Sequence, residues 1–226
     1  MFSPVLNFSK TRKFTPLVTL NNPIPRTTHS PCAEPLEFID RTKLLGVICT
    51  SNAQWSENTS HIIKRATSKL WLLRRLKLAG ADEDILLEAY RLHVRSILET
   101  NVPLWHPALI NTDRNRIERV QKMAFSIILG YNYTDYMVAL TLLVEDTLEN
   151  RRETLCLNFA KKSAQHPKHK HLFPRNTGPK TRKKKIFVET KCRTQRRYNS
   201  AVPYLVRLLN RENFVPKSDR TDVVLK

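Results

Sequence analysis

The sequence has 226 residues, of which 41% are hydrophobic, enough to bury the core of one ordinary domain or of two small ones. Its 4 glycines and 13 prolines favour helices joined by proline-containing connections and argue against a multi-stranded sheet. The formal net charge of +19 favours polyanionic partners. We therefore expect a mainly α protein.

The excess positive charge lies in the last third of the chain. Residues 1–149 hold 18 basic and 15 acidic side chains, whereas residues 150–226 hold 21 and 5. The four cysteines form no CxxC pair, so neither a disulfide framework nor a zinc ribbon is indicated. No uncharged apolar run is long enough to span a bilayer. We expect reduced thiols, a location in the nucleus or cytoplasm, and no metal, cofactor or membrane contact.

The first 55 residues predict loops and short strands. The segments "LEFID" (36–40) and "KLLGVIC" (43–49) are short and apolar, and the dipeptide "RT" separates them, which is compatible with a short β hairpin or strand edge. Gly46 interrupts the second segment, where the missing side chain would let another backbone come close.

A helical period begins after Trp55 and continues to Gly80, a predicted C-cap. Its apolar stripe contains Ile62, Ala66, Leu70, Leu73 and Leu76. The rest of its surface is basic, and no acidic residue lies between Ser60 and Ala81. Two interpretations remain open: a solvated face of a bundle, or a surface that contacts the sugar-phosphate backbone of a nucleic acid. The candidate phosphate-binding residues are Lys64, Arg65, Lys69, Arg74 and Arg75.

Further helices are predicted up to residue 165. The second begins near "ADED" (81–84), where Asp82 and Asp84 favour the positive end of the helix. Its expected inward side chains are Ile85, Leu86, Ala89, Leu92, Ile97 and Leu98. A third follows Thr112 or Asp113 and stops at Gly130, and shorter ones cover 134–143 and 146–163. The aromatic side chains predicted to lie in the core are Trp71, Trp105 and Phe125.

Residues 166–226 predict a basic, partly disordered C-terminal segment with a short helix near 200–210. The cluster "KTRKKK" (180–185) is typical of a nuclear localisation signal, a nucleic-acid patch or a plain solvated charge run. Tyr198 stands beside arginines and could stack on an unpaired base. Cys156 and the histidines of "HPKHKH" lack the second cysteine that a zinc knuckle needs. The candidate nucleic-acid-binding residues here are Arg182, Lys183, Lys184, Lys185, Arg193, Arg196 and Arg197.

The order of these segments resembles the region that follows the catalytic palm in reverse transcriptases of non-LTR (LINE, jockey-like) retrotransposons. "LNFSKT" (6–11) resembles the Asn-x-x-Lys-Thr element, and "KLLGV" (43–47) resembles the Lys-x-Leu-Gly element of the primer-grip strand. Trp55, His61, Ile62, Lys69 and Leu70 resemble the opening of the thumb. The later similar blocks are "VRSILETNVPLWHPAL" (94–109), "IERVQKMAFSIILG" (117–130), "YTDYMVAL" (133–140), "LENRRETLC" (148–156) and "YNSAVPYLVRLLN" (198–210).

The resemblance implies a remnant palm edge over 1–55, a helical thumb-like domain over 56–165 and a basic segment over 166–226. It also implies that Lys43 and Gly46 belong to the primer grip. The family's polymerases hold two Mg²⁺ ions on an aromatic-x-Asp-Asp turn and a further aspartate, and this chain begins after the place of that turn.

We therefore expect a truncated, catalytically inactive fragment, not an enzyme, with nonspecific affinity for RNA, DNA or an RNA–DNA hybrid. The alternatives are a helical protein–protein interaction module and a nonfunctional retrotransposon remnant.

Overall fold

A computed structural model describes residues 39–178 and 185–216. Two short strands precede a series of helices, which confirms the mainly α fold with a short hairpin in front of it. The strands are β1 (Arg41–Leu44) and β2 (Val47–Thr50). The helices are α1 (Ser56–Leu78), α2 (Glu83–Tyr90), α3 (Ser96–Leu98), α4 (Val102–Trp105), α5 (Asn111–Leu129), α6 (Tyr136–Leu142), α7 (Leu148–Gln165), α8 (Gln195–Tyr198) and α9 (Ala201–Arg211). None of the described helices is both long and apolar enough to cross a membrane.

The chain divides into two compact units, one ending at Asn58 and the other beginning at Thr59. In the first unit, β1 and β2 pair antiparallel across a two-residue turn formed by Leu45 and Gly46. Both turn residues have positive φ, 47° and 83°, as the tightest hairpin turns require. The chain therefore reverses inside "KLLGVIC" and not at the dipeptide "RT", which lies within β1.

Helix α1 buries the predicted apolar stripe. Ile62, Ala66, Leu70 and Leu73 are at most 4% exposed, whereas Leu76 is half-buried. The helix ends as predicted: Gly80 has a φ of 82°, and the Ala81 N–H donates to the Leu76 carbonyl at 3.0 Å. This geometry fixes which side chains of α1 point away from the core.

The second predicted helix is present, but its inward face was partly misassigned. Asp82 is its N-cap, and a π-helical segment, Arg91–Arg95, joins α2 to α3. Ile85 and Leu92 are 54% and 59% exposed, whereas Tyr90 is fully buried. Ile85 and Leu92 lie seven residues apart on one exposed face of the helix, so the prediction placed part of the apolar stripe on the wrong side.

Helices α6 and α7 begin and end within two residues of the predicted positions, whereas α5 begins two or three residues earlier than predicted, so neither Thr112 nor Asp113 is its N-cap. Helix α5 begins at Asn111 with Ile110 as its N-cap, and it ends at Gly130, whose φ is 57°. Phe125 on α5 is fully buried and lies edge-on to Tyr90, with 5.3 Å between ring centroids. The core of the second unit therefore forms between α2, α5 and α7.

The described part of the C-terminal segment is ordered against the helices rather than forming a separate unit. Helix α9 packs on α7 and α4. Phe187, in a region predicted to be loop or disorder, is 1% exposed and lies edge-on to Phe173. Asn210 on α9 accepts a hydrogen bond from the Phe187 N–H at 2.9 Å and donates to its carbonyl at 3.0 Å. These contacts join residues 185–216 to the second unit.

A buried polar cluster joins α5, α6, α7 and the turn after α4. The Arg152 side chain is fully buried, with its Nη1 3.9 Å from Oε2 of Glu118. Its Nε donates to Nδ1 of His106 at 3.3 Å. Glu118 also accepts hydrogen bonds from the Tyr136 hydroxyl at 2.6 Å and from the Leu148 N–H at 2.9 Å. One carboxylate therefore connects three helices.

We expect stability to fall in mild acid because of His106. Burial, reinforced by the charges of Arg152 and Arg114, lowers the pKa of His106 to about 3. In the unfolded chain its pKa is about 6.5, so below that pH the unfolded state binds a proton that the folded state does not. The free energy of unfolding should therefore decrease as pH falls from 6.5 towards 3, by up to about 1.4 kcal/mol per pH unit.

Denaturant unfolding of the wild type and of His106→Gln between pH 7.5 and 5 tests this expectation. The glutamine keeps an acceptor for Arg152 and cannot titrate, so the variant should show the shallower dependence on pH. His93→Gln, at an exposed position, is the matched control. Parallel stability curves for the wild type and His106→Gln would contradict the assignment.

Candidate nucleic-acid interface

The predicted cations of α1 all lie on the exposed part of that helix. Lys64, Arg65, Lys69, Arg74 and Arg75 are exposed. Within residues 39–178 and 185–216, no carboxylate lies within ion-pair distance of any of them. The basic side chains elsewhere on the second unit are often paired, as in the contacts of Arg91 and Arg95 with Glu145. The structure thus brings five cations together on one rigid helix.

Lys77, which the sequence places with these cations, has a different role. Its Nζ donates to the carbonyls of Ile127 and Ile128, at 2.6 and 2.8 Å. These carbonyls belong to the last turn of α5, where cations are favoured by the helix dipole. A β-carbon on Gly130 would lie 2.6 Å from the same Nζ. Lys77 therefore fixes α1 to the end of α5.

Trp71 lies among the cations and not in the core, so the prediction for this side chain was wrong. It is 63% exposed, whereas Trp105 and Phe125 are fully buried as predicted. Lys64 precedes Trp71 by seven residues and Arg75 follows it by four, so the three share one face of the helix. The Arg75 guanidinium lies 5.8 Å from the centroid of the indole ring. The spacing alone could have identified this face, because the apolar stripe runs along the opposite side.

The C-terminal cations form a separate group. Arg193, Arg196 and Arg197 are exposed at or beside α8, whose N-cap is Thr194. Lys185 pairs with Glu189 at 2.5 Å. The remaining residues predicted in this cluster, Arg182, Lys183 and Lys184, lie outside the described residues.

Tyr198 is less suited to base stacking than the sequence indicates. The Arg207 guanidinium lies 3.6 Å from the centroid of its ring and donates a hydrogen bond to its carbonyl at 2.9 Å. One face of the ring is therefore already covered within the protein.

The residues of the predicted primer grip lie on the hairpin of the first unit. Lys43 is exposed on β1, opposite Ile48 on β2. Gly46 is one of the two turn residues, and within residues 39–178 and 185–216 no atom outside its immediate neighbours lies within 4 Å of the position that a β-carbon would occupy. Among the described residues no other backbone approaches Gly46, and the glycine supplies the positive φ of the turn. The "LNFSKT" element lies outside the described residues.

Comparisons of this chain with models of protein families, with curated proteins and with solved structures gave no match.

The described residues were also compared with the requirements of a metal site. No three histidine, cysteine, aspartate or glutamate side chains among residues 39–178 and 185–216 are grouped so as to hold a metal ion. Cys156 is fully buried, and burial raises the pKa of its thiol to about 12.

An apolar groove of about 530 Å³ lies between α4, α7 and α9. Leu104, Phe159 and Leu172 in its lining are between 39% and 47% exposed. The alternative prediction of a protein interaction module would rest on this groove, which is lined by residues other than those of the cationic face of α1.

Proposed function

We propose that this chain binds nucleic acid without sequence specificity, and that the exposed face of α1 contacts the sugar-phosphate backbone. In keeping with the resemblance to the region behind a reverse-transcriptase palm, the helix would act as a thumb-like backbone contact rather than in catalysis. An aromatic-x-Asp-Asp motif does not occur in the sequence. RNA, DNA and an RNA–DNA hybrid all present the required phosphates.

The observation that carries the proposal is the set of exposed cations on α1 without a neighbouring carboxylate. An arginine paired with an acid must lose that partner before it binds phosphate, whereas Arg74 and Arg65 have none among the described residues. The buried stripe and the contact of Lys77 with α5 hold the helix in place. These charges are therefore positioned before binding, which lowers the entropy cost of ordering them.

Removing two of these charges should weaken binding and make it less dependent on salt. We expect Arg74→Gln with Arg75→Gln to reduce the slope of log K against log salt by about 1.8 on duplex DNA and by about 1.4 on a single strand, if both residues contact phosphate. The measurement is fluorescence anisotropy of labelled 20-mers of single-stranded RNA, duplex DNA and RNA–DNA hybrid, each titrated at several salt concentrations.

Lys168→Gln with Lys170→Gln is the matched control, because it removes two exposed charges outside α1. This control should keep most of the affinity and nearly the wild-type slope. Equal losses in both variants would reduce the effect to net charge and contradict a specific role for α1. No binding by the wild type at about 0.15 M salt would favour the interaction-module alternative.

A further inference from the structure

Trp71 presents most of its surface to water in the middle of a cationic helix face. It is 63% exposed, and the buried stripe of α1 lies on the other side of the helix. A large aromatic ring in this position contributes little to the core, and its apolar surface remains hydrated. The packing of the described residues therefore gives no reason for a tryptophan here.

Cations flank the ring along the helix axis in both directions. With a rise of about 1.5 Å per residue, Lys64 lies roughly 10 Å before Trp71, and Arg74 and Arg75 lie roughly 5 to 6 Å after it. A strand that follows the helix would meet a positive charge on each side of the indole. This alternation of cations with an exposed aromatic ring is the arrangement by which proteins bind unpaired strands.

We propose that Trp71 is a stacking site for an unpaired base of a single-stranded RNA or DNA held along α1. This inference rests on the proposed function, since the flanking cations bind the phosphates on either side of that base. In a duplex, both faces of each internal base are occupied by its neighbours, so an indole cannot stack there without disrupting the stack. The ring therefore directs α1 towards single strands, overhangs and frayed ends.

Trp71 is better placed than Tyr198 to stack on a base. Both are exposed aromatic residues beside arginines, but Arg207 lies 3.6 Å from the centroid of the Tyr198 ring, whereas Arg75 lies 5.8 Å from that of Trp71. Arg207 also bonds to the Tyr198 carbonyl, which fixes that pair within the protein. Trp71 keeps the larger free surface, with 63% of the residue exposed against 44% for Tyr198.

Two probes of equal length and charge separate stacking from phosphate contact. One is a labelled 12-mer of uridine, and the other is a 12-mer in which every base is replaced by an abasic spacer. We expect Trp71→Ala in the full chain to weaken binding of the uridine strand roughly five- to 150-fold and to leave binding of the abasic strand unchanged. Trp71→Phe should retain most of the affinity for uridine.

Leu92→Ala, which removes an apolar side chain that is 59% exposed on the π-helical segment, is the control and should not alter either affinity. Intrinsic fluorescence gives a direct readout, because uridine binding should quench the wild type and quench Trp71→Phe much less.

Each contrary outcome is distinct. If Trp71→Ala weakens both strands equally, or neither, while the wild type binds both, the stacking site is overturned and the backbone contact remains. If the wild type binds neither strand at about 0.15 M salt, the proposed function fails, and the stacking site fails with it.

Discussion

Replacing Glu118 with glutamine is expected to lower the free energy of unfolding by roughly 3 kcal/mol or more. The change preserves the size of the side chain but leaves the fully buried Arg152 guanidinium without its nearest carboxylate. Burial lowers the pKa of Arg152, and the charge of Glu118 is the largest influence that counteracts this effect. An arginine stays protonated in a protein, so the folded variant would contain a buried charge without its carboxylate, and its free energy would rise by the whole cost of that burial.

The hydrogen bonds of Glu118 increase the expected effect. Its Oε1 accepts from the Tyr136 hydroxyl and from the first N–H of α7, and both bonds to an ionised acceptor are stronger than bonds to a neutral amide. Gln121 Oε1 lies 2.8 Å from the same hydroxyl and 3.1 Å from the same N–H, so a neutral acceptor for both donors remains in the variant. The measurement is chemical denaturation at pH 7, after a test that the transition is two-state.

Two further variants make the test specific. Glu149→Gln breaks the pair with Arg114, in which the side chains are 50% and 30% exposed, and should cost less than about 1 kcal/mol. Adding Arg152→Met to Glu118→Gln should recover part of the loss, because the uncompensated buried charge is then absent. Equal costs for Glu118→Gln and Glu149→Gln would show that the buried pair does not act as described.

Trp105→Ala is expected to lower the free energy of unfolding by about 3 to 5 kcal/mol, and Trp71→Ala to change it by no more than about 0.5 kcal/mol. Trp105 is fully buried, and its removal would leave a large cavity beside α4. Its Nε1 also donates to the Thr100 carbonyl at 2.9 Å, next to Asn101, whose φ of 54° reverses the chain. The alanine variant therefore loses both the core contact and the bond that holds this turn.

Trp71→Ala is the matched control for Trp105→Ala, because the same atoms are removed at an exposed and at a buried position. Denaturation curves of the two variants and the wild type give the two changes in the free energy of unfolding. A cost at Trp71 similar to that at Trp105 would contradict the exposure of Trp71, and with it the availability of the indole ring for a base.

The apolar stripe of α1 and the ends of α1 and α5 were predicted correctly because they depend on neighbouring residues. The apolar stripe of α1 recurs at three- and four-residue intervals, which places Ile62 and Leu70 on one face whatever lies against it. Gly80 and Gly130 end their helices because each adopts a positive φ that other residues rarely tolerate. The exposed cations of α1 follow from the same period, since they occupy the positions that the stripe leaves.

Only the tertiary structure decided which long side chains contact residues that are distant in the sequence. Lys77 binds carbonyls 50 and 51 residues further along the chain. Arg152 is buried beside His106, which lies 46 residues before it. The residues next to Lys77 and Arg152 in the sequence do not distinguish these two cations from exposed ones. Phe187 lies in a basic stretch, and it is buried because α9 returns to α7 and brings Asn210 to its backbone. The sequence by itself determined the helical fold and the apolar face of α1 through local periodicity, but not the inward face of α2. The fold decided which charges are structural and which are free to bind, because that depends on contacts that form only when distant helices pack.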